Sequence, residues 1–205
     1  IRVLDSFAEE RVPCGSKFCG EVSVTTLATL YKKIKFHTHE NVGSGHIHLP
    51  EMTMHTTAYW WQLSREQLTG LSFSEQGLSD GLKAVAHVFE QVAPVWVMTD
   101  PRDLKTVPML RSPWSQQPTV YVYEATPGGV GYSRKLFRLH ADMLRASLAL
   151  IRECDCRAGC PSCVGPALET GERGKEAALA LLRAGLNRKV YGKDYKPGAE
   201  EISTN

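Results

Sequence analysis

The sequence predicts an α+β fold, in which an antiparallel sheet packs against helices and the chain ends in a loop with four cysteines. Three observations support this prediction. Residues 22–63 are rich in β-branched and aromatic side chains, apolar residues after Trp61 recur at helical spacing, and four cysteines fall within residues 154–163. With 205 residues, of which 42% are hydrophobic and 22% charged, the chain is long enough for one large domain or two small ones.

The strands of the predicted sheet follow from the alternation of polar and apolar residues, which is clearest over residues 30–36 and 53–60. The sequence Asn-Val-Gly-Ser-Gly at 41–45 predicts a turn that joins two strands, and Leu-Pro-Glu at 49–51 breaks the next boundary. The first residues, from Ile1 onward, are also strand-like and have no visible partner before them. Because the chain also begins without Met, we expect it to be part of a longer protein.

The first long helix is predicted over residues 79–92, with Ser79 as its N-cap and Pro94 as the residue that stops it. The proline-rich stretch 100–118 predicts an irregular connection, and residues 119–123 predict another strand. This strand leads into the glycine-rich sequence at 127–131.

A second helical region follows the glycines. Its apolar stripe predicts a helix of about 20 residues, capped by Ser133, that runs into the cysteines. A last helix is predicted over residues 175–186. The pattern divides the chain into a strand-rich part (1–63), a helical part with the glycine loop and the cysteines (64–190), and a tail that we expect to be flexible (191–205).

The composition argues against a membrane protein. The longest apolar runs, such as residues 95–98, are far shorter than the roughly 20 residues of a membrane span, and the chain begins without a signal-peptide pattern. We therefore expect a soluble protein of the cytoplasm. The formal net charge is +2, and from Gly131 onward 13 basic residues face 9 acidic ones. A solvated surface is the interpretation of this excess that we favour, and nucleic-acid binding is the alternative.

The cysteine cluster has the pattern Cys-x-Cys-x3-Cys-x2-Cys, formed by Cys154, Cys156, Cys160 and Cys163. Four thiolates from one short loop can surround a zinc ion, which leaves no position for water, so we predict one structural Zn²⁺ and no catalytic residue. The alternatives are a redox pair at Cys160 and Cys163, two disulfides, or inert buried thiols. A redox pair lacks its usual context here, because the cysteines follow a helix instead of opening one.

A second group of possible ligands lies near Cys14 and Cys19. If a turn is centred between residues 42 and 43, one side of the hairpin carries four histidines, namely His37, His39, His46 and His48. Four imidazoles on one face could bind a metal or titrate together near neutral pH. Exposed strand residues without a metal are the alternative that we favour.

The glycine loop at 127–131 lies between a strand and a helix, where backbone amides can hold a phosphate. It lacks the Gly-Lys-Ser/Thr of a Walker A motif, and so does the sequence around Gly174, because Glu176 stands where a hydroxyl is required. No nucleotide motor is therefore encoded here. A tight turn and a contact with a DNA phosphate remain the two interpretations of the loop.

The motifs together resemble a known family. Val-Tyr-Val-Tyr-Glu-Ala-Thr-Pro-Gly-Gly-Val-Gly at 120–131, the helix after it and the four cysteines are similar to the C-terminal zinc-binding domain of mitomycin repair factor A type helicases, which belong to the DEAD/DEAH superfamily 2. Weaker similarities lie at 31–34, 49–51, 57–60, 81–87 and 100–103. Glu124 departs from the family, because an Asp is usual there, and the histidine-rich hairpin is not a family feature.

The resemblance implies an accessory domain that follows a helicase core and helps it engage DNA during ATP-dependent 3′ to 5′ unwinding in DNA repair. Its partners would be single-stranded or forked DNA and the core of the same polypeptide, with no membrane and no small-molecule substrate. It implies a cytoplasmic, bacterial-type, nucleoid-associated parent protein. His87, Asp100 and Asp103 match family positions, and the two aspartates could cap the chain locally or bind a cation.

Two functions compete for the chain itself. In the first, basic side chains of the long helix contact DNA phosphates, and the candidates are Arg134, Lys135, Arg138 and Arg145. In the second, the domain braces the helicase core or a partner protein without touching DNA. A zinc hydrolase is disfavoured, because a site with four cysteine ligands is closed to substrate. The aromatic residues at 59–61 could stack bases, but such residues more often lie in a core or an interface.

Overall fold

A computed structural model describes residues 1–38, 40–71 and 73–186 and confirms the α+β fold. The strands are β1 (Arg2–Val12), β2 (Gly15–Thr26), β3 (Leu30–Ile34), β4 (Asn41–His46), β5 (Met52–Leu63), β6 (Leu104–Met109) and β7 (Thr119–Glu124). The helices are α1 (Arg65–Leu68), α2 (Glu75–Val97), α3 (Tyr132–Arg138), α4 (His140–Glu153), α5 (Ala167–Thr170) and α6 (Gly174–Leu186). In these ranges no helix combines the length and the apolar character needed to cross a bilayer.

The main sheet is antiparallel, with the strand order β1-β2-β5-β7-β6, and β3 pairs with β4 in a separate hairpin. The strand-like N-terminus finds its partner in β2, which follows it. The main sheet combines strands that precede residue 63 in the chain with strands that follow it, since β5 pairs with β7. The division at residue 63 stays a prediction, and the predicted tail lies outside the described residues.

The main core lies between one face of the sheet and the helices. Tyr59 and Trp61 point from β5 into this core, where Phe89 of α2 packs against the ring of Trp61. Each such aromatic or aliphatic side chain contributes about 1.5–3 kcal/mol when it is fully buried. Gly185 lets α6 approach, since a Cβ at this position would lie 2.6 Å from Trp61 Cζ2. Helix α6 is therefore held against the sheet by close packing.

A second, smaller core lies on the other face of the sheet. Trp60 stacks on Phe18 of the neighbouring strand, and both rings meet Trp114 edge to face. Val3 from β1 and Val107 from β6 pack against the same cluster, although these strands are opposite edges of the sheet. The sheet therefore curls around this core. Because Tyr59, Trp60 and Trp61 are all fully buried, none of them can stack a nucleic-acid base.

The first long helix extends beyond both predicted ends. It begins after Ser74, whose hydroxyl accepts a hydrogen bond from the N–H of Gly77 at 3.0 Å, so the N-cap is Ser74 and not Ser79. Pro94 lies inside the helix and does not stop it. A proline removes one hydrogen bond of the helix, but the buried neighbours Ala93 and Val97 hold this last turn against the core.

The helix predicted before the cysteines is two helices. Gly131, with a φ of 101°, is the N-cap of α3, and Leu139 separates α3 from α4. Ser133 is therefore not a cap. Within the region predicted to be irregular, residues 104–109 form the edge strand β6, which tolerates Pro108 because β6 pairs only with β7.

The hairpin of β3 and β4 turns at a different place from the predicted one. Residues 41–45 lie in β4, and the connection runs from Lys35 to Glu40, whose side chains form an ion pair at 2.8 Å. The pattern of glycine and asparagine was misleading, because an antiparallel strand at a solvent-exposed edge also accommodates these residues. In the observed register His46 faces Leu30.

Candidate metal centre

The four cysteines come together in the loop between α4 and α5. Cys154 follows directly after the last residue of α4, and a tight turn brings Cys163 back, with its N–H donating to the carbonyl oxygen of Cys160 at 3.0 Å. Gly159 has a φ of 133°, and a Cβ there would lie 2.6 Å from the carbonyl oxygen of Gly165. Glycine is thus required where the loop folds on itself.

The distances between the sulfur atoms match a tetrahedral zinc site. The Sγ atoms are 3.5 Å apart for Cys154 and Cys160, 3.4 Å for Cys156 and Cys163, and 3.6 Å for Cys160 and Cys163. All four lie within 4.8 Å of one another. A tetrahedron with zinc–sulfur bonds of about 2.3 Å has edges of about 3.8 Å, whereas a disulfide bond measures about 2.05 Å. The arrangement therefore fits one zinc ion and contains no disulfide.

The donor set is closed and made only of sulfur. Cys163 is fully buried and the other three cysteines are partly buried. Burial and the neighbouring Cys156 thiol raise the pKa of Cys163 to about 12 in the absence of metal, so zinc must displace a proton there. Among the described residues, this is the one group of three or more histidine, cysteine or acidic side chains that is placed to hold a metal.

Lys175 of α6 supplies a positive charge beside the sulfur atoms. Its Nζ donates to the carbonyl oxygens of Cys154 and Cys156, both at 2.6 Å, and lies 3.4 Å from the Sγ of Cys156. Four thiolates around Zn²⁺ carry a net charge of −2, which the ammonium group partly offsets. Lys175 also fixes the two carbonyls that orient the first pair of ligands.

We expect the substitution Lys175→Met to weaken zinc binding about 10- to 100-fold, which is the usual range for residues that support metal ligands. Competition with a chromophoric chelator measures this affinity. Arg173→Met is the matched control, because Arg173 lies two residues away on an exposed surface and, among the residues that the structure describes, pairs only with Glu176. Equal zinc affinities of the two variants would contradict a supporting role for Lys175.

His87 attaches the same loop to α2. Its Nε2–H donates to the carbonyl oxygen of Pro161 at 2.8 Å, and Gly165 lies against its ring. This contact gives His87, which matches a family position, a structural role. The loop between α4 and α5 (residues 154–166), called the zinc loop below, is therefore tied to α2 through His87 and to α6 through Lys175.

The glycine loop is filled by a carboxylate of the protein itself. Glu124, at the end of β7, is fully buried and accepts hydrogen bonds from the N–H groups of Val130 (2.5 Å), Gly131 (3.1 Å) and Ser133 (2.8 Å). The hydroxyls of Ser133 and Thr57 donate to it as well, each at 2.7 Å. Since these amides already bind an anion, the geometry favours the structural interpretation of the loop over a DNA phosphate site.

The pKa of Glu124 reflects the same contacts. Burial alone raises this pKa, but the hydrogen bonds from Val130, Ser133 and Thr57 outweigh burial and hold it below its usual value. Glu124 is therefore ionised at neutral pH and acts as a fixed negative charge at the start of α3, where a helix favours an anion.

The turn on which the four-histidine face depends lies elsewhere, so the described histidines are not placed on one face of the hairpin as that turn would place them. His37 lies in the connection between β3 and β4, His46 lies at the end of β4, and His48 follows that strand. His39 lies outside the described residues. The prediction failed because it depended on a turn between residues 42 and 43, and the observed turn lies before Asn41.

The basic side chains predicted to contact DNA differ in their surroundings. Arg134 and Arg138 are exposed on α3, and within the described residues no carboxylate forms an ion pair with either one. Lys135 is partly buried. Arg145 lies on α4, beyond the break at Leu139, and its guanidinium group pairs with Asp142 at 2.6 Å. Arg134 and Arg138 thus lie one turn apart on α3, whereas Arg145 lies on the next helix and is paired.

The two aspartates at family positions make local hydrogen bonds. Asp100 accepts from the backbone N–H and the guanidinium group of Arg102, which lowers the pKa of this carboxyl to about 2. Asp103 accepts from the hydroxyl of Thr99 at 2.5 Å. Both side chains organise the turn before β6.

Similarities to known proteins agree with this site. The family of the MrfA Zn-binding domain matches residues 85–164, which include all four cysteines. The uncharacterized ATP-dependent helicase YprA of Bacillus subtilis (strain 168) is 37% identical over 163 residues, or 80% of this chain and 21% of that protein. The uncharacterized protein MJ1572.1 of Methanocaldococcus jannaschii is 23% identical over 86 residues, or 40% of this chain and 77% of that protein.

Solved structures show the same likeness. The crystal structure of the DUF1998 helicase MrfA bound to DNA superposes with a TM-score of 0.71 and 35% identity, over 89% of this chain and 24% of that one. The structure of this helicase with DNA and AMPPNP gives a TM-score of 0.55 and 32% identity, over 82% and 22% of the two chains. This chain thus spans about a quarter of the solved helicase and about a fifth of YprA.

Proposed function

We propose that this chain contains an MrfA-type zinc-binding domain, which its family match at residues 85–164 supports, and that it is the zinc-braced accessory domain of an ATP-dependent superfamily 2 DNA helicase. In this role it helps the helicase core of the same polypeptide to engage DNA during repair in the cytoplasm. The observation that carries the proposal is the four-thiol site, which lies in a chain that is similar to MrfA in sequence and in fold.

The proposed ligands of the zinc ion are Cys154, Cys156, Cys160 and Cys163. Because all four positions are thiolates, the ion would have no open site for water or substrate, and its contribution is to stabilise the loop. We assign ATP hydrolysis and unwinding to the helicase core of the parent protein, since the two glycine-rich sequences of this chain lack the Gly-Lys-Ser/Thr of a Walker A motif. This assignment agrees with the coverage of the helicase relatives, because the chain matches only about a fifth of YprA and a quarter of the solved MrfA structure.

The proposed contacts with DNA lie on the helices before the zinc loop, at Arg134, Lys135, Arg138 and Arg145. Arg134 and Arg138 are the best placed, since an exposed guanidinium group without an acidic partner can bind a phosphate without first losing an ion pair. Arg145 is the weakest of the four, because Asp142 already neutralises it.

We expect the double substitution Arg134→Gln and Arg138→Gln to weaken binding of labelled DNA by at least about tenfold at low salt. It should also make the affinity less dependent on salt, by about 0.7 in the log–log slope for each lost phosphate contact on a single strand. Fluorescence anisotropy at several salt concentrations measures both effects. Arg102→Gln is the control, because Arg102 is also exposed but pairs with Asp100. A zinc-loaded chain that binds no DNA at low salt contradicts this part of the proposal.

A protein-bracing role is the second candidate, and one observation favours it. Val95, Trp96 and Met98, at the end of α2, expose 75%, 37% and 83% of their surface. Apolar side chains grouped at one end of a helix suit contact with another protein surface, such as the helicase core. A chain that bound the isolated core but no DNA would support this candidate.

A further inference from the structure

A cleft lies between the β1–β2 hairpin and α3, apart from the zinc loop. It has a volume of about 440 Å³, and its lining residues are Phe7, Ala8, Cys19, Arg134, Phe137 and Arg138. Two guanidinium groups and two aromatic rings thus surround one opening. A cavity with this lining suits a ligand that carries both a flat ring and negative charge.

A β-bulge aims Phe7 at the cleft. The pairing of β1 with β2 shifts between Ser6 and Ala8, so Phe7 has no partner residue on β2. A bulge of this kind redirects the side chain of the extra residue. Gly20 permits it, because a Cβ at this position would lie 2.0 Å from the carbonyl oxygen of Asp5. Phe7 consequently exposes 44% of its surface at the mouth of the cleft.

The ring of Phe7 also contacts one of the two guanidinium groups of the cleft, that of Arg134. The guanidinium carbon of Arg134 lies 5.6 Å from the centre of this ring, which is within the range of a cation–π contact. The second ring, that of Phe137, is already covered by the Nζ of Lys17 at 4.5 Å, and Lys17 in turn pairs with Glu10. Each ring thus has a cation over it, and Phe7, which is exposed whereas Phe137 is partly buried, offers the larger accessible aromatic surface of the cleft.

The electrostatic surroundings of the cleft favour a polyanion. Arg134 and Arg138 have no carboxylate partner among the described residues, and no acidic side chain lines the opening. Burial raises the pKa of the Cys19 thiol to about 11, with smaller opposing effects from Arg134 and Glu124, so this thiol is neutral at physiological pH. Both positive charges of the lining are thus uncompensated.

We propose that this cleft binds one nucleotide of single-stranded DNA, with its base stacked on Phe7 and its flanking phosphates on Arg134 and Arg138. The inference rests on the proposed function and adds a base contact to it. A base is free to stack only when it is unpaired, so the cleft selects single strands over duplex. Adjacent phosphates and bases supply the paired negative charge and flat ring that the lining requires.

The experiment measures binding of the zinc-loaded 205-residue chain to two labelled oligonucleotides of about 12 nucleotides. One is oligothymidine, and the other has the same backbone without bases. We expect the unaltered chain to prefer the oligonucleotide with bases by at least about fivefold, and Phe7→Ala to remove this preference. Phe7→Tyr should keep the preference, since tyrosine also stacks. Leu4→Ala is the control for an exposed apolar residue of the same strand, and it should change nothing.

The outcomes separate the base contact from the proposed DNA role. If the unaltered chain binds both oligonucleotides equally, or if Phe7→Ala keeps the preference, the base contact is wrong, even where Arg134→Gln and Arg138→Gln weaken binding. Because the first comparison uses the unaltered chain, it does not depend on the folding of a variant. A chain that binds neither oligonucleotide at low salt overturns both the base contact and the proposed DNA role.

Discussion

Replacing Cys163 by serine should remove zinc from the chain and lower its free energy of unfolding by at least about 3 kcal/mol. The reason is that zinc binding by small thiolate sites contributes about 10 kcal/mol or more, while a whole domain is stable by about 5–15 kcal/mol. Cys163 is the fully buried member of the four, so its hydroxyl analogue would also leave a polar group without water. Zinc content by mass spectrometry and unfolding in urea measure the two effects.

The matched control is Cys14→Ser. Cys14 is also fully buried, but it lies in the turn between β1 and β2, far along the chain from the zinc loop. This variant should keep one zinc ion per chain and lose only the free energy of burying a hydroxyl, about 1–3 kcal/mol. Hydrogen exchange should speed up over residues 154–166 in Cys163→Ser alone. Two variants with the same zinc content would contradict the assignment.

Replacing Glu124 by alanine is expected to destabilise the chain by about 3–5 kcal/mol. The change leaves three backbone N–H groups and two hydroxyls without their acceptor. The N–H and the hydroxyl of Ser133 are the buried donors among them, and each unpaired buried donor costs about 1–3 kcal/mol. Glu90→Ala is the control, since Glu90 is a partly buried carboxylate that, within the described part of the chain, accepts hydrogen bonds only from Thr106. A Glu124→Ala chain no less stable than Glu90→Ala would show that the glycine loop does not depend on this carboxylate.

The pH dependence gives a second test of Glu124. Its folded-state pKa lies below the ordinary value of 4.5, so the ionised carboxylate stabilises the fold above that pH. This contribution is lost as the pH falls through the lower, folded-state pKa. The stability difference between the unaltered chain and Glu124→Gln should therefore shrink below about pH 4.5. Comparing the two chains at each pH cancels the effect of acid on the zinc site, which both chains share.

Glu124 and the zinc site anchor opposite ends of the two helices that carry the basic residues. Glu124 holds the start of α3, and the proposed zinc ligand Cys154 follows the end of α4. The segment with Arg134 and Arg138 is thus fixed before and after, which keeps the guanidinium groups in position without requiring them to pair with acidic residues. Loss of either anchor should weaken DNA binding along with stability.

The parts of the molecule that depend on local chemistry could be predicted from the sequence. The spacing of Cys154 and the three cysteines after it indicates a tetrahedral site directly, because a short loop can bring four thiolates together only in a few ways. Alternating residues likewise predicted the antiparallel strands. The helix end predicted at Pro94 was wrong, because tertiary packing of the last turn of α2 outweighs one lost hydrogen bond.

The parts that depend on contacts between distant residues could not be predicted. Glu124 is an ordinary acidic residue at a strand end until Thr57 and the glycine loop fold around it. Lys175 is one of many lysines, and only the packing of α6 places it beside the sulfur atoms. The position of Phe7 at the cleft depends on a β-bulge. No local pattern in β1 predicts this bulge, because the shift in pairing involves β2 as much as β1.

X-ray absorption at the zinc edge of the purified chain tests the central claim most directly, because it counts the atoms bound to the metal. The account predicts four sulfur atoms at about 2.3 Å and no lighter ligand, which describes a closed site that stabilises structure and performs no chemistry. Three sulfur atoms together with an oxygen or nitrogen at about 2.0–2.1 Å would contradict it, since the metal would then have an open position for a water molecule or a substrate.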